Sequence, residues 1–422
     1  MKKIKQIIKS KVFKNSIWLT ILQLVNTVIP MLTIPYITRV LGAAQYGIFS
    51  VALNWIIYFQ VIVEFGFNLT GSKKIATAKN DQEVQTIFNN IISARIILFI
   101  FTFVLLNIVT FLAHFSLQIY ICMILLCTMV LGTAFQITWL FQGKQDMKFI
   151  TIINSTARII SVILIFLFVK STSDVYIYAI LYSITLLLSS IISLIIAKKK
   201  YNLIFKFTNL KSIKNELNDG KYLFYSSAMT KIFSGFGTTI LGFISSANIV
   251  GIYSAIYKIP YILTMFFSPI SQAIYPNISI KFKKDNKEAF SYIKMICKPI
   301  LCIFIIISII IIIFKTFFVN ILFGKEYVKY SVIVIPLVMQ FIFGMINNFL
   351  GVQILIASNH QKEYTKAFTI GCLATVLSNC ILGFIYGIYG VAISAFLGEF
   401  ILTLLLIKKI IKIFRRNHDE KN

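Results

Sequence analysis

Acidic residues are scarce in this chain: 14 Asp and Glu stand against 41 Lys and Arg in 422 residues, and only 13% of positions carry a charge. So little charge cannot keep a domain of this size in water, the less so when 58% of residues are hydrophobic and mean hydropathy is +0.86. The three histidines, His114, His360 and His418, are scattered over loops and tail, and the six cysteines form no C-x-x-C pair. No metal site is visible, no cofactor is expected, and the cysteines read as small apolar packing residues. There is no G-x-x-x-x-G-K-[ST] loop, and the longest connections, 198–219 and 276–293, are short, basic and polar. An ATP-driven machine on this chain alone is thereby disfavoured.

Hydrocarbon is what the chain has in abundance. Apolar runs of about 20 residues, enough to cross roughly 30 Å of bilayer core, recur from end to end. They predict an all-α integral membrane protein of about twelve transmembrane helices with no room for a soluble domain. The net charge of +27 does not indicate nucleic acid, because the basic residues are not gathered into one patch. With the amino terminus inside, 32 Lys and Arg fall on inside segments and only five outside (Arg39, Lys170, Lys315, Lys325, Lys329). The positive-inside rule therefore predicts both termini in the cytoplasm. Ile4, Ile7, Ile8 and Val12 share one face among lysines, which predicts a surface-lying amphipathic segment over 1–13, and a basic tail occupies 409–422.

The chain echoes itself. Gly47-Ile48-Phe49-Ser50 recurs 204 residues later as Gly251-Ile252-Tyr253-Ser254. In the first span, 14–37, Gln23, Asn26, Thr27, Pro30 and Thr33 lie near one helical face. The same offset from the first four leads to Ser227, Thr230, Lys231 and Ser234 in the seventh span, 220–243. Two six-helix bundles follow, over 14–197 and 220–408, joined by a cytoplasmic linker over 198–219. Six spans per half give both halves one orientation and a pseudo-symmetry axis along the membrane normal. Polar stripes in lipid either hold helices together or face a wet cavity; matching stripes on the first helix of each bundle favour a cavity lining, to which Asn68 also contributes.

Six ionisable residues lie well inside the spans: Glu64, Arg95, Arg158, Lys231, Lys258 and Glu399. Each costs roughly 2.5 to 3.5 kcal/mol at the bilayer centre. Counted along their helices, Glu64, Arg95 and Arg158 sit at similar depth, so Glu64 is expected to neutralise one of the two arginines; an ion-coupling role for Glu64 and Glu399 stands as the alternative. Four cations against two acids leave two positive charges for an anionic ligand, with Lys231 and Lys258 the leading candidates beside Arg95 and Arg158. Snorkelling to the interface is the competing reading of Lys258. Tyr253, Tyr257, Tyr261, Phe224 and Tyr225 could stack on a sugar, although in so aromatic a chain they read first as packing.

Several stretches carry a family resemblance: PYITRVLGAAQYGIFS, VEFGFNLTGSKKIA, WLFQGKQDMKFI, NIVGIYSAIYKIPYI, SPISQAIYPNIS and LFGKEY. Together, over nearly the whole chain, they resemble the O-antigen transporters, lipid-linked oligosaccharide flippases of the multidrug/oligosaccharidyl-lipid/polysaccharide exporter superfamily. FGFNLT and WLFQG are the most specific parts. The resemblance implies two V-shaped bundles around a cationic cavity in the bacterial cytoplasmic membrane. It also implies a cargo, undecaprenyl-pyrophosphate bearing one oligosaccharide repeat unit, carried outward by alternating access for O-antigen, capsule or a related surface polysaccharide. A polysaccharide polymerase, a chain-length regulator and an H+ or Na+ counter-ion are the partners such a protein would use. YSAIYKIPY also resembles the eighth-helix motif of lipid II flippases, with Lys258 at the position of a cavity Arg; lysine lacks the bidentate fork of arginine toward phosphate. A cation-coupled drug exporter of the same superfamily is the alternative, and its cavity would more naturally be acidic. A membrane glycosyltransferase or polymerase would offer carboxylates on sizeable outer loops, where this chain has only Asp174 and Glu326. A scaffold would not need intramembrane charges at matched depth.

Overall fold

The computed structural model describes the backbone of residues 11–419 and the side chains of 15–414. The amphipathic segment expected over 1–13 lies outside the described residues except for the helical backbone of 11–13. Every regular element among the described residues is helical. The chain divides into two compact units, Met1–Lys231 and Ile232–Asn422.

The first unit contains α1 (Lys11–Glu64), α2 (Phe67–Thr77), α3 (Asp81–Leu112), α4 (Leu117–Phe135), α5 (Thr138–Gly143), α6 (Met147–Phe168) and α7 (Val175–Tyr201). Helix α8 (Leu210–Ile244) begins in this unit and continues into the second. The second unit continues with α9 (Ala247–Ile256), α10 (Lys258–Lys284), α11 (Asn286–Ile313), α12 (Lys315–Phe323), α13 (Lys325–Val328) and α14 (Val334–Asn347). A π-helical stretch, Asn348–Ile356, leads to α15 (Gln361–Asp419).

Nine helical stretches among the described residues are long and apolar enough to cross a membrane. Two of them run to 63 and 54 residues, far beyond the 20 or so that one crossing requires. Each contains a glycine kink, at Gly42 (φ 69°) in α1 and at Gly387 (φ 55°) in α15, and the longer, 15–77, also runs on through the turn at Gly66 into α2. Helix α8 is not among the nine; lysine, serine, threonine and glycine run through its later turns, SSAMTKIFSGFGTT, as well as charge through its first, LKSIKNELNDGK. The kink at Gly42 lies 204 residues before Ser246, the residue that precedes α9, so both units break their first two helices at the offset at which the sequence echoes itself.

Local signals set the other ends. Asn80 accepts a hydrogen bond from the Glu83 amide at the start of α3, Ser116 from Ile119 at the start of α4, and Asp285 from Glu288 at the start of α11; each satisfies an amide that a helix start leaves open. Polar caps followed by long apolar runs are what the sequence offers at these turns.

The core of the first unit centres on Phe67, Phe88, Ile91, Trp139, Leu140 and Phe141, all buried. The two most family-specific motifs meet there. In FGFNLTG a methyl group on Gly71 would lie 3.0 Å from the Trp139 ring, and one on Gly143 of WLFQG would lie 2.6 Å from Ile75. Helices α2 and α5 approach so closely that only hydrogen fits between them.

Candidate functional site

In the first unit Glu64 and Arg95 meet at the elbow between α1 and α2. Phe65 (φ 44°) and Gly66 (φ 75°) turn the chain there, and Asn68 falls in the first turn of α2. The Asn68 amide donates to Glu64 Oε1 at 2.8 Å, while its carbonyl oxygen accepts from Arg95 Nη2 at 3.2 Å. Arg95 Nη1 donates to the carbonyls of Thr133, at 3.2 Å, and Gln136. Those carbonyls lie at the end of α4, where the helix dipole is negative and intrahelical partners run out; the Thr133 carbonyl also accepts the Gln136 amide, at 3.4 Å. Phe67 lies under the guanidinium, 5.8 Å from its carbon.

The network then spreads. Gln60 donates to Thr133 Oγ1 at 3.0 Å, Gln136 to Asn154 Oδ1 at 3.4 Å, and Ser189 to the same oxygen at 2.8 Å. Polar side chains from α1, α2, α3, α4, α6 and α7 thus form one connected set. The expectation that Glu64 neutralises an arginine directly is corrected in form: among the described residues neither Arg95 nor Arg158 makes an ion pair with it, and the link to Arg95 runs through Asn68. Arg158 instead donates to Asn26 Oδ1 at 2.7 Å, so the polar stripe of the first span receives an arginine. On that stripe Thr27 is buried and Gln23 is half-buried. Arg95 is only 1% exposed, and it makes three hydrogen bonds to protein oxygens, two of them to the carbonyls at the end of α4, so it holds the helix ends together. Depth along a helix, which groups Arg95 with the candidate ligand-binding cations, does not reveal a carbonyl partner.

The same elbow grips the start of α8. Phe65 and Phe224 stack with ring centroids 4.6 Å apart and planes 5° apart. Lys74 Nζ lies 2.7 Å from both Glu216 Oε2 and Asp219 Oδ2. Farther along α8, Ser227, Thr230 and Lys231 are exposed.

In the second unit a cavity of about 670 Å³ opens among α8, α10, α14, the π-helix and α15. Tyr257, Tyr261, Tyr275, Phe233 and Phe341 supply ring faces; Ser234, Ser268, Gln272, Gln340 and Asn348 supply hydroxyls and amides. Among the described residues Glu399 is the one charged group lining it. Asn347 holds that carboxylate, donating to Glu399 Oε2 at 2.7 Å and to the Glu399 carbonyl at 2.8 Å, while Thr403 donates to Asn347 Oδ1 at 2.7 Å. The π-helix braces the wall: fully buried Gln353 donates to the carbonyl and hydroxyl of Ser271, and Ser271 donates to Asn348. Such a wide-turn segment is uncommon and recurs at functional sites.

Lys258 does not line this cavity. It is half-buried, with its ammonium 5.4 Å from the ring centroid of Tyr261, which does. Lys231 does not line it either, and Ser234 does. The tyrosines divide: Tyr257 and Tyr261 face the cavity, whereas Tyr253 is buried against Gly237. Sequence reasoning missed Asn347, Gln340 and Asn348, although three amides in one apolar span were an available signal.

The sequence pattern of the family described as "Polysaccharide biosynthesis protein" matches residues 12–282. A protein of Escherichia coli (strain K12) described as "Putative O-antigen transporter" is 30% identical over 400 residues, covering 93% of this chain and 95% of its own. Among solved structures, a lipid II flippase, MurJ, in an inward closed conformation superposes with a TM-score of 0.72 at 17% identity, covering 94% of this chain and 87% of that one. An inward-facing multidrug resistance MATE family transporter gives the same TM-score, 0.72, at 12% identity, with 92% and 96% covered. At such identities the structures show a shared fold, and both a lipid flippase and a drug transporter are built on it.

Proposed function

Because the chain belongs to the polysaccharide biosynthesis protein family, we propose that it is a flippase for a lipid-linked oligosaccharide. The cargo is an undecaprenyl-pyrophosphate carrying one repeat unit, moved by alternating access from the inner to the outer leaflet of a bacterial cytoplasmic membrane in which both termini lie inside. The observation that carries this reading is the cavity of the second unit. Rings, amides and hydroxyls in one enclosed wall suit sugars, whose faces are apolar and whose edges are hydroxyl donors and acceptors.

The diphosphate belongs elsewhere, since Glu399 would repel it. Lys258, beside Tyr261 at the cavity's edge, is the cation assigned to it, with Lys231 and Arg158 as further candidates and Arg95 kept as a structural anchor. Outward movement of two negative charges is favoured by about 4 to 5 kcal/mol per 100 mV, interior negative. A counter-ion, H+ or Na+ at Glu64 or Glu399, is therefore compatible with transport without being required. A polymerase and a chain-length regulator would receive the delivered unit.

A second reading has one observation in its favour. A lone carboxylate in an aromatic cavity also suits an organic cation, as a drug exporter would need. Reconstitution in liposomes separates the two. A fluorescent undecaprenyl-pyrophosphate glycan should change leaflet accessibility only in vesicles that contain the protein; no such change, together with protein-dependent efflux of a cationic dye, would replace the flippase with the exporter.

A further inference from the structure

The segment between α7 and α8 is not a slack tether. Asn202 (φ 53°) reverses the chain after α7, and Asn209 caps α8 by accepting from the Ser212 amide at 2.9 Å. Between them the backbone lies along α3, held by three side chains spaced one helical turn apart. Gln85 both donates to the Ile204 carbonyl (2.7 Å) and accepts from the Ile204 amide (3.1 Å); Asn89 Oδ1 accepts from the Lys206 amide at 3.0 Å; Ser93 Oγ accepts from the Thr208 amide at 3.1 Å. Leu203 is buried in the core of the first unit and anchors one end, and Ile213, on the first turns of α8, anchors the other.

This pinned strap turns large apolar side chains away from the protein. Ile204 is 58% exposed, Phe207 58% and Leu210 73%. Around them Lys198, Lys199, Lys206, Lys211 and Lys214 are exposed, while the acids nearby are engaged: Asp146 with Lys200, and Glu216 and Asp219 with Lys74. Exposed rings and aliphatic chains flanked by unopposed lysines have one well-matched counterpart, the interface of a membrane with negative headgroups, where the apolar groups enter the acyl boundary and the ammonium groups meet phosphate. Basic-residue bias places this segment on the cytoplasmic side.

We propose that the strap over 203–210 is a binding site for anionic phospholipid of the cytoplasmic leaflet. Phe207, Ile204 and Leu210 insert beside the acyl chains, and Lys206 with Lys211 holds the headgroup phosphate. The strap ties the membrane surface to α8, the helix that leads into the second unit, so the bound lipid steadies the segment through which the two halves are connected.

The test uses the full-length protein in nanodiscs. Phe207→Trp adds one indole, read as the difference from the parent protein's fluorescence. Brominated phosphatidylglycerol should quench that added signal at least about twofold more strongly than brominated phosphatidylcholine at equal mole fraction. Lys206→Glu combined with Lys211→Glu should remove the difference while leaving quenching by phosphatidylcholine in place. No quenching by either lipid overturns the membrane contact; equal quenching by both overturns the anionic preference. Native mass spectrometry of the parent and the double Lys variant is a second measurement, free of the indole: the parent should retain more phosphatidylglycerol, and equal retention overturns the site.

Discussion

Asn68 donates its side-chain amide to Glu64 at 2.8 Å and accepts from Arg95, so a carboxylate reaches a buried arginine through a neutral intermediary. Both ends of that relay are charged, and a hydrogen bond to a charged group contributes about 1.5 to 3 kcal/mol. Asn68→Ala should therefore lower the stability of the detergent-purified protein by roughly that amount, read as a drop in the thermal midpoint. Asn68→Asp puts a second carboxylate beside Glu64 and should be worse than Asn68→Ala in protein that still folds. Glu64→Gln keeps an acceptor for Asn68 and should cost less than either. Equal melting points for parent and Asn68→Ala would show that the relay holds nothing.

Gly66 offers a sharper measurement. Its φ of +75° disfavours any side chain, and a methyl group there would lie 2.5 Å from Leu223 Cβ. Strain of about 1 to 2 kcal/mol joins an overpacking cost of about 1 to 3 kcal/mol. Gly66→Ala should thus destabilise more than the Asn68 change, with Phe65 and Phe224 unstacked, and a parent-like melting curve would contradict the elbow geometry.

The ion pairs of Lys74 are unequal. Glu216 is 6% exposed at its side chain and Asp219 is 54% exposed. Removing the ammonium strands a buried carboxylate, which costs about 1 to 3 kcal/mol or more, whereas an exposed pair contributes about 0 to 1 kcal/mol. Lys74→Met should be clearly destabilising and Asp219→Asn nearly silent. Adding Glu216→Gln to Lys74→Met should recover part of the loss; a purely additive double mutant would remove the coupling.

In the second unit Glu399 should govern the charge of what the cavity accepts. Glu399→Gln retains an acceptor for Asn347 and removes the negative charge. Flipping of a neutral glycan lipid should persist within a few-fold, while one bearing a uronic acid should improve relative to the parent. Lys258→Gln should instead depress transport of both, because it removes the contact proposed for the diphosphate; full retention would take Lys258 out of the site.

Periodicity and composition announced much of this architecture. The echo between Gly47 and Gly251 anticipated where the first two helices of each unit part, at Gly42 and at Ser246, because a break in a helix leaves a local mark on the sequence beside it. A rise of about 1.5 Å per helical residue gave Glu64, Arg95 and Arg158 one expected depth, and the structure links the first two through Asn68. What one helix cannot report is its rotation relative to the next. Arg95 found its acceptors at the C-terminal end of α4, where Thr133 and Gln136 carry no distinguishing motif, and Arg158 turned to Asn26 instead. The cavity of the second unit was hidden likewise: Glu399 was visible, whereas its partner Asn347 lies 52 residues earlier and is brought to it only by the packing of α14 on α15.

The three rungs that pin the strap to α3 also limit its length. Four residues of helix advance about 6.0 Å, and two residues of extended chain about 6.6 Å, so adjacent rungs fall out of step by roughly 0.6 Å. Three rungs absorb that mismatch within ordinary hydrogen-bond tolerance, whereas a longer run would accumulate an offset that side-chain reach could not cover. The switch into α8 at Asn209 comes where this vernier would begin to slip. Inserting two residues into the strap would therefore force a bulge rather than a longer clasp.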